Sequence, residues 1–226
     1  MVMKARDEKM MLTIKEQVYS VIKENILSEH FKPGERINEV QIANDLKVSR
    51  SPVRSAINEL IGEGLLESVP NKFVKVRQLT EKEIIDIYEF RVIVEKYAIE
   101  KVIALLDTAM LAVLQDFRQQ FINCCTYEQL PKYVEVDSRF HNYLVESSGN
   151  QVVLETLHRV GVLVTPFRVI SLKSRERFEQ SIEEHIGMID AICDKDLARA
   201  WERCQSHLSL AKQEIVAHLR AQPAIQ

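Results

Sequence analysis

The 226-residue chain reads as a mainly α protein, an N-terminal winged helix-turn-helix followed by an all-helical C-terminal bundle of about six helices. Three observations carry this reading. Pro33-Gly34, Pro52, Gly62, Gly64 and Pro70 punctuate the first third, where apolar spacing marks three short helices. Two β-like runs then flank Pro70-Asn71-Lys72. Past Gln78 the helical period continues almost without interruption, which places one domain at residues 1–78 and a second at 79–226.

The elements follow in order. Thr13 to His30 reads as a helix with Val18, Ile22 and Ile26 on one face, and Pro33-Gly34 forces a turn after it. Asn38 can cap a short helix from Glu39 to Leu46, carrying Val40, Ile42 and Ala43. Ser51-Pro52 opens a third helix, because proline at the first helical position forfeits no hydrogen bond. That helix buries Val53, Ile57, Leu60 and Ile61 and stops at the Gly62/Gly64 pair. Leu65 to Val69 and Phe73 to Arg77 form a two-stranded ribbon. In the second domain Thr80-Glu81-Lys82-Glu83 is a capping box for a helix to about Leu106. Asp107 caps a second helix to about Cys124, and Thr126 opens a third. Gly149-Asn150 ends that one and begins a fourth, which Pro166 should kink. Arg175 to Cys193 and Leu197 to Leu219 complete the bundle.

Bulk properties exclude some classes and permit others. The longest apolar runs are far short of the roughly 20 residues that span a bilayer, and Met1 to Met11 is charged where a signal peptide would be apolar. The expected location is the cytoplasm, with no membrane partner. Cys124, Cys125, Cys193 and Cys204 lack metal-finger spacing and read as core residues of a reducing compartment. The net charge of −3 argues against nucleic acid until it is divided. Residues 1–80 hold 13 Lys and Arg against 11 Asp and Glu, whereas residues 81–226 hold 17 against 22. A mild local basic excess is compatible with a DNA-facing surface.

The segment Ile42-Ala43-Asn44-Asp45-Leu46-Lys47-Val48-Ser49-Arg50-Ser51-Pro52-Val53-Arg54 is the most informative stretch. The second helix of a helix-turn-helix enters the major groove N-terminus first. Here that end presents Arg50 and Arg54 among the hydroxyls of Ser49 and Ser51. Arginine suits guanine O6 and N7, while serines and a helix N-terminus suit phosphate oxygens. The plainer reading is a solvated helix start with two surface arginines.

The run IANDLKVSRSPVRSAI, then Glu63-Gly64-Leu65 and a wing at Pro70-Asn71-Lys72, resembles the signature of the GntR family of transcriptional regulators, in the FadR-like subgroup with an FCD-type C-terminal domain. The resemblance implies a homodimeric repressor on double-stranded operator DNA, with Ser49, Arg50, Ser51, Arg54, Asn71 and Lys72 facing the DNA. Three positions depart from the family pattern. Ser55 replaces a usual glutamate, Val40 a frequent base-contacting arginine, and Phe73 a wing glycine.

In the second domain Asp137 and His141 stand four apart on one helical face, and His185 and His207 lie among apolar neighbours on the last two helices. Taken singly, each histidine reads as a core or surface residue. The family resemblance gives them another role, since Asp137-Ser138-Arg139-Phe140-His141, Glu184-His185 and His207-Leu208 match a divalent-metal set. Three imidazoles and a carboxylate suit zinc, with nickel or manganese as alternatives, and leave coordination open for a ligand. The implied effector is a small organic or sugar acid, clamped by Arg91 and more weakly by Arg168. Against this stands an ordinary surface pair of Arg91 with Glu95. Two alternatives remain at this point: the metal as the signal or a structural staple, and a metalloenzyme, which lacks an obvious paired general base. His30, His158 and His218 receive no role.

Overall fold

A computed structural model describes residues 12–28, 30–70 and 72–221. The chain divides into two compact units between Gln78 and Leu79.

In the first unit α1 spans Ile14–Leu27 and opens on a capping box, in which Thr13 and Glu16 satisfy each other's backbone N–H groups. Its buried stripe of Val18, Ile22 and Ile26 packs on α3 (Arg50–Gly62) through Val53, Ala56, Ile57 and Leu60. Between them lies α2 (Glu39–Asp45), whose cap Asn38 accepts from the N–H groups of Val40 and Gln41. The expected two-stranded ribbon is corrected to three strands. Strand β2 (Leu66–Val69) pairs antiparallel with β3 (Phe73–Val76), and β3 also pairs with a two-residue β1 (Arg36–Ile37). Two residues carry no readable alternation, so β1 is invisible in the sequence. It is set by Gly34, whose φ of +83° turns the chain back so that its N–H donates to Val76 O.

The second unit is a bundle of α4 (Glu81–Leu105), α5 (Thr108–Asn123), α6 (Leu130–Ser147), α7 (Gln151–Ser171), α8 (Arg175–Cys193) and α9 (Leu197–Ala221). The Thr80/Glu83 capping box opens α4, and Asp107 caps α5. Thr126 opens a single 3-10 turn, Tyr127–Gln129, rather than α6 itself, which begins one turn later with a proline in its first turn. Helix α7 continues through position 166 to Ser171. The last helix packs on α4 and α8, and α6 packs on α4 and α7, so α4, α6, α8 and α9 enclose a common interior. Phe121, Tyr133, Phe140 and Phe178 fill it with fully buried rings. Each such side chain contributes roughly 1.5–3 kcal/mol by leaving water. Cys124 and Cys204 lie in this core, but Cys125 is exposed, correcting its expected core position. No described helix is long and apolar enough to cross a membrane.

Candidate metal centre and DNA-facing surface

Asp137 and His141 come from α6, His185 from α8 and His207 from α9, and all four are buried. Their ligating atoms lie within 4.8 Å of one another. Asp137 Oδ1 is 3.5 Å from His141 Nε2, 3.1 Å from His185 Nε2 and 3.9 Å from His207 Nε2. The Nε2 atoms of His141 and His185 are 3.3 Å apart. Donors about 2.0–2.1 Å from one tetrahedral ion would stand about 3.3 Å from each other. The spacing therefore fits a divalent cation.

The outer ring nitrogens say why these atoms converge. His141 Nδ1 meets Glu95 Oε2 at 2.6 Å, His207 Nδ1 meets Glu184 Oε2 at 2.9 Å, and His185 Nδ1 meets the Ser181 carbonyl at 2.8 Å. A carboxylate or carbonyl oxygen only accepts, so each Nδ1 carries the hydrogen and donates. In the neutral form of such a ring the bare lone pair of Nε2 faces inward. Burial, followed by the proximity of His141, pushes the His185 imidazole down to about 3. Burial, then His185 and His141, likewise hold His207 well below the usual histidine range. Neutral imidazoles are the form in which histidine binds a metal. Three Nε2 atoms and an aspartate oxygen thus converge on one point, a donor set that suits a cation.

Arginines surround this centre. Arg168 is in ion-pair contact with Asp137. Burial and then Arg91 push its guanidinium down to about 10, still charged at neutral pH. Arg91 is 3% exposed and donates through Nε at 2.9 Å to Glu95 Oε1, with Nη2 at 2.8 Å from the same oxygen. The expected alternative of an Arg91–Glu95 pair is therefore present, but in the core instead of on the surface. Burial alone would raise the Glu95 carboxyl, but Arg91 and His141 outweigh it and hold it well below the usual carboxylate range. Tyr88, Arg91, Asp137, Arg168, Arg177 and His207 line a small cavity beside the four ligating residues. Sequence reasoning missed Arg177, and it gave Glu95 and Glu184 no part in orienting the histidines. Only the Glu-His dipeptide at 184–185 hinted at the latter.

In the first unit the turn between α2 and α3 is held by Lys47 at φ +54° and by Val48 N–H donating to Ala43 O. It delivers Ser49, Arg50 and Ser51, all exposed, at the N-terminus of α3. The Ser49 hydroxyl makes no cap bond, which leaves it and the helix end suited to phosphate oxygens. Arg54, 66% exposed, donates through Nε to Glu39 at 3.3 Å. Arg50, Arg54, Val40, Arg36, Lys72 and Phe73 line one groove between α3 and the strands. Val40 is 40% exposed there. Arg36 lies over the Phe73 ring at 4.0 Å, so the aromatic replacement in the wing is stacked under a cation. Asn71 lies outside the described residues.

Each of the two units matches a known family. Residues 14–76 match the model of the gntR family of bacterial regulatory proteins, and residues 86–210 match the FCD domain. The Nta operon transcriptional regulator of Aminobacter aminovorans is 34% identical over 172 residues, 75% of this chain and 79% of that protein. The gluconate operon transcriptional repressor of Bacillus licheniformis is 26% identical over 176 residues, covering 76% and 72%. The fold is similar to that of a GntR-type regulator from Rhodococcus sp. RHA1, with a TM-score of 0.76 at 22% identity over 92% of this chain and 99% of that one. The two sequence relatives are named as transcriptional regulators. The chain belongs to the GntR family as a DNA-binding transcriptional regulator whose C-terminal unit is an FCD domain.

Proposed function

We propose that this regulator is a cytoplasmic homodimeric repressor whose grip on a pseudo-palindromic operator is released by a small organic or sugar acid. The acid binds at a divalent metal held by Asp137, His141, His185 and His207. Zinc suits this donor set best, with nickel or manganese as alternatives. Ser49, Arg50, Ser51 and Arg54 read the DNA, supported by Lys72 and by Asn71. The observation that carries the sensing half is the convergence of three Nε2 atoms and one carboxylate oxygen, each ring fixed from behind by an oxygen at Nδ1. A bound divalent ion would supply a Lewis-acidic point for a carboxylate oxygen. Arg91 and Arg168 supply the positive wall that orients such an acid. The gluconate regulator among the relatives supports a sugar acid as the kind of molecule sensed and repression as the sign.

The test is a zinc titration of the metal-free protein followed by metal analysis. Wild type should take one ion per chain, and a His141→Ala/His185→Ala variant should take none. Full retention by that variant would remove the site. Loss of operator binding on chelation, with no response to any carboxylic acid, would instead make the metal itself the signal.

A further inference from the structure

Strand register sets Arg36, Phe73, Lys75 and Glu67 on one face of the three-stranded sheet. Arg36 stands opposite Lys75, Lys75 opposite Glu67, and Phe73 lies two residues before Lys75 on the same strand. Ile37, Leu66 and Val76 fill the other, buried face. Two cations directly opposite each other are unfavourable unless anions meet them. Glu67 meets Lys75 at 2.6 Å. Arg36 is exposed and has no such partner, since Glu35 accepts from the Lys32 N–H and Glu39 from Arg54. Among the described residues its guanidinium makes no hydrogen bond or ion pair, and it rests on the Phe73 ring at 4.0 Å.

Stacking uses only the flat face of a guanidinium. Its N–H groups lie in the plane and stay open, as the fork that fits phosphate oxygens. The ring also restricts a long exposed side chain before any ligand arrives, which lowers the ordering loss on binding. Arg36 shares its groove with Arg50, Arg54 and Lys72, and Glu39 is the one carboxylate among the lining residues. Four cations to one carboxylate along a groove suit a polyanion. Arg36 extends from the sheet and not from the α3 N-terminus that enters the major groove, so the sugar-phosphate rim is its counterpart and not the base edges. We infer that Arg36 is a further DNA contact, a phosphate clamp at the rim of this groove, and that Phe73 is its positioning residue. The inference rests on the reading above that α3 and its groove face the operator.

Fluorescence anisotropy of the full-length protein tests this, on an operator selected from randomised duplexes and on an unrelated duplex, between about 50 and 200 mM salt. Arg36→Gln should weaken both complexes on the order of tenfold. It should also reduce the slope of log affinity against log salt by about 0.9, the loss of one phosphate contact. Arg36→Lys, which keeps the charge without the flat stack, should keep the slope and lose part of the affinity. Phe73→Leu should weaken the wild-type complex and change nothing further when added to Arg36→Gln, whereas Phe73→Tyr should bind as wild type does. Unchanged affinity and slope in Arg36→Gln, beside a weakened Arg50→Ala, would overturn the inference with the groove reading intact. A loss confined to one base pair of the operator at constant slope would make Arg36 a base reader and overturn the clamp. Equal weakening by Phe73→Leu with and without Arg36 would overturn the positioning role. No effect from Arg36→Gln or from Arg50→Ala would overturn the groove reading and this inference together.

Discussion

Glu95→Gln removes one charge at the most connected point of the buried network. Glu95 is fully buried and accepts from His141 on one oxygen and from Arg91 on the other. The amide keeps the shape but leaves the Arg91 guanidinium, 3% exposed, without its counterion. Removing one partner of a buried ion pair costs about 3–5 kcal/mol. The amide also presents an N–H₂ to one of two groups that both donate, which adds to the cost. Urea unfolding of the metal-free protein at neutral pH measures the effect. The single tryptophan, Trp201, reports it, because it sits on α9, the helix packed against the one carrying Glu95. The transition should move by about 3–5 kcal/mol relative to wild type. Zinc affinity should fall by roughly 10–100-fold, as expected when the group behind a ligating histidine is lost. A stability change below about 1 kcal/mol would mean that Glu95 and Arg91 behave as a solvated pair, since an exposed pair is worth no more than that.

Further outcomes follow from the same geometry. Arg50→Ala and Arg54→Ala should each weaken operator binding by about 1–3 kcal/mol in a fluorescence-anisotropy titration, and unchanged affinity in both would remove α3 as the reading helix. Stability of the metal-free protein should fall as pH drops below about 6.5. His185 is pushed down to about 3 and His207 also lies well below its usual range, so between those values the unfolded chain binds the additional protons. Each imidazole contributes a slope of at most about 1.4 kcal/mol per pH unit, positive with rising pH, and thermal melts from pH 4 to 7 measure it. A flat profile would mean the rings are charged in the fold.

Much of the architecture was legible because it is local. The Thr80/Glu83 capping box, the Asp107 cap and the bounds of α8 follow from residues a few positions apart. What escaped is non-local or too short to carry a period. β1 is two residues long, and its pairing with β3 joins positions 36 and 75. At the centre, spacing put Asp137 and His141 on one face of α6, and only resemblance joined them to His185 and His207. The partners behind the rings come from elsewhere in the chain: Glu95 reaches His141 from α4, and Glu184 reaches His207 from α8. Arg91 and Glu95 show the ambiguity most clearly. Their i,i+4 spacing gives the ion pair but not its burial, which the packing of α4 against α6 and α9 decides.

Coupling between the C-terminal centre and DNA is the property to measure. An operator selected by the protein from randomised duplexes should be titrated with zinc-loaded wild type and with the His141→Ala/His185→Ala variant. Each titration is run with and without a saturating carboxylic acid found by thermal shift. The acid should weaken wild-type binding by about 1–3 kcal/mol, the usual range of coupling between sites, and leave the variant unmoved. An acid that binds the wild-type protein yet leaves its operator affinity unchanged would contradict this coupling.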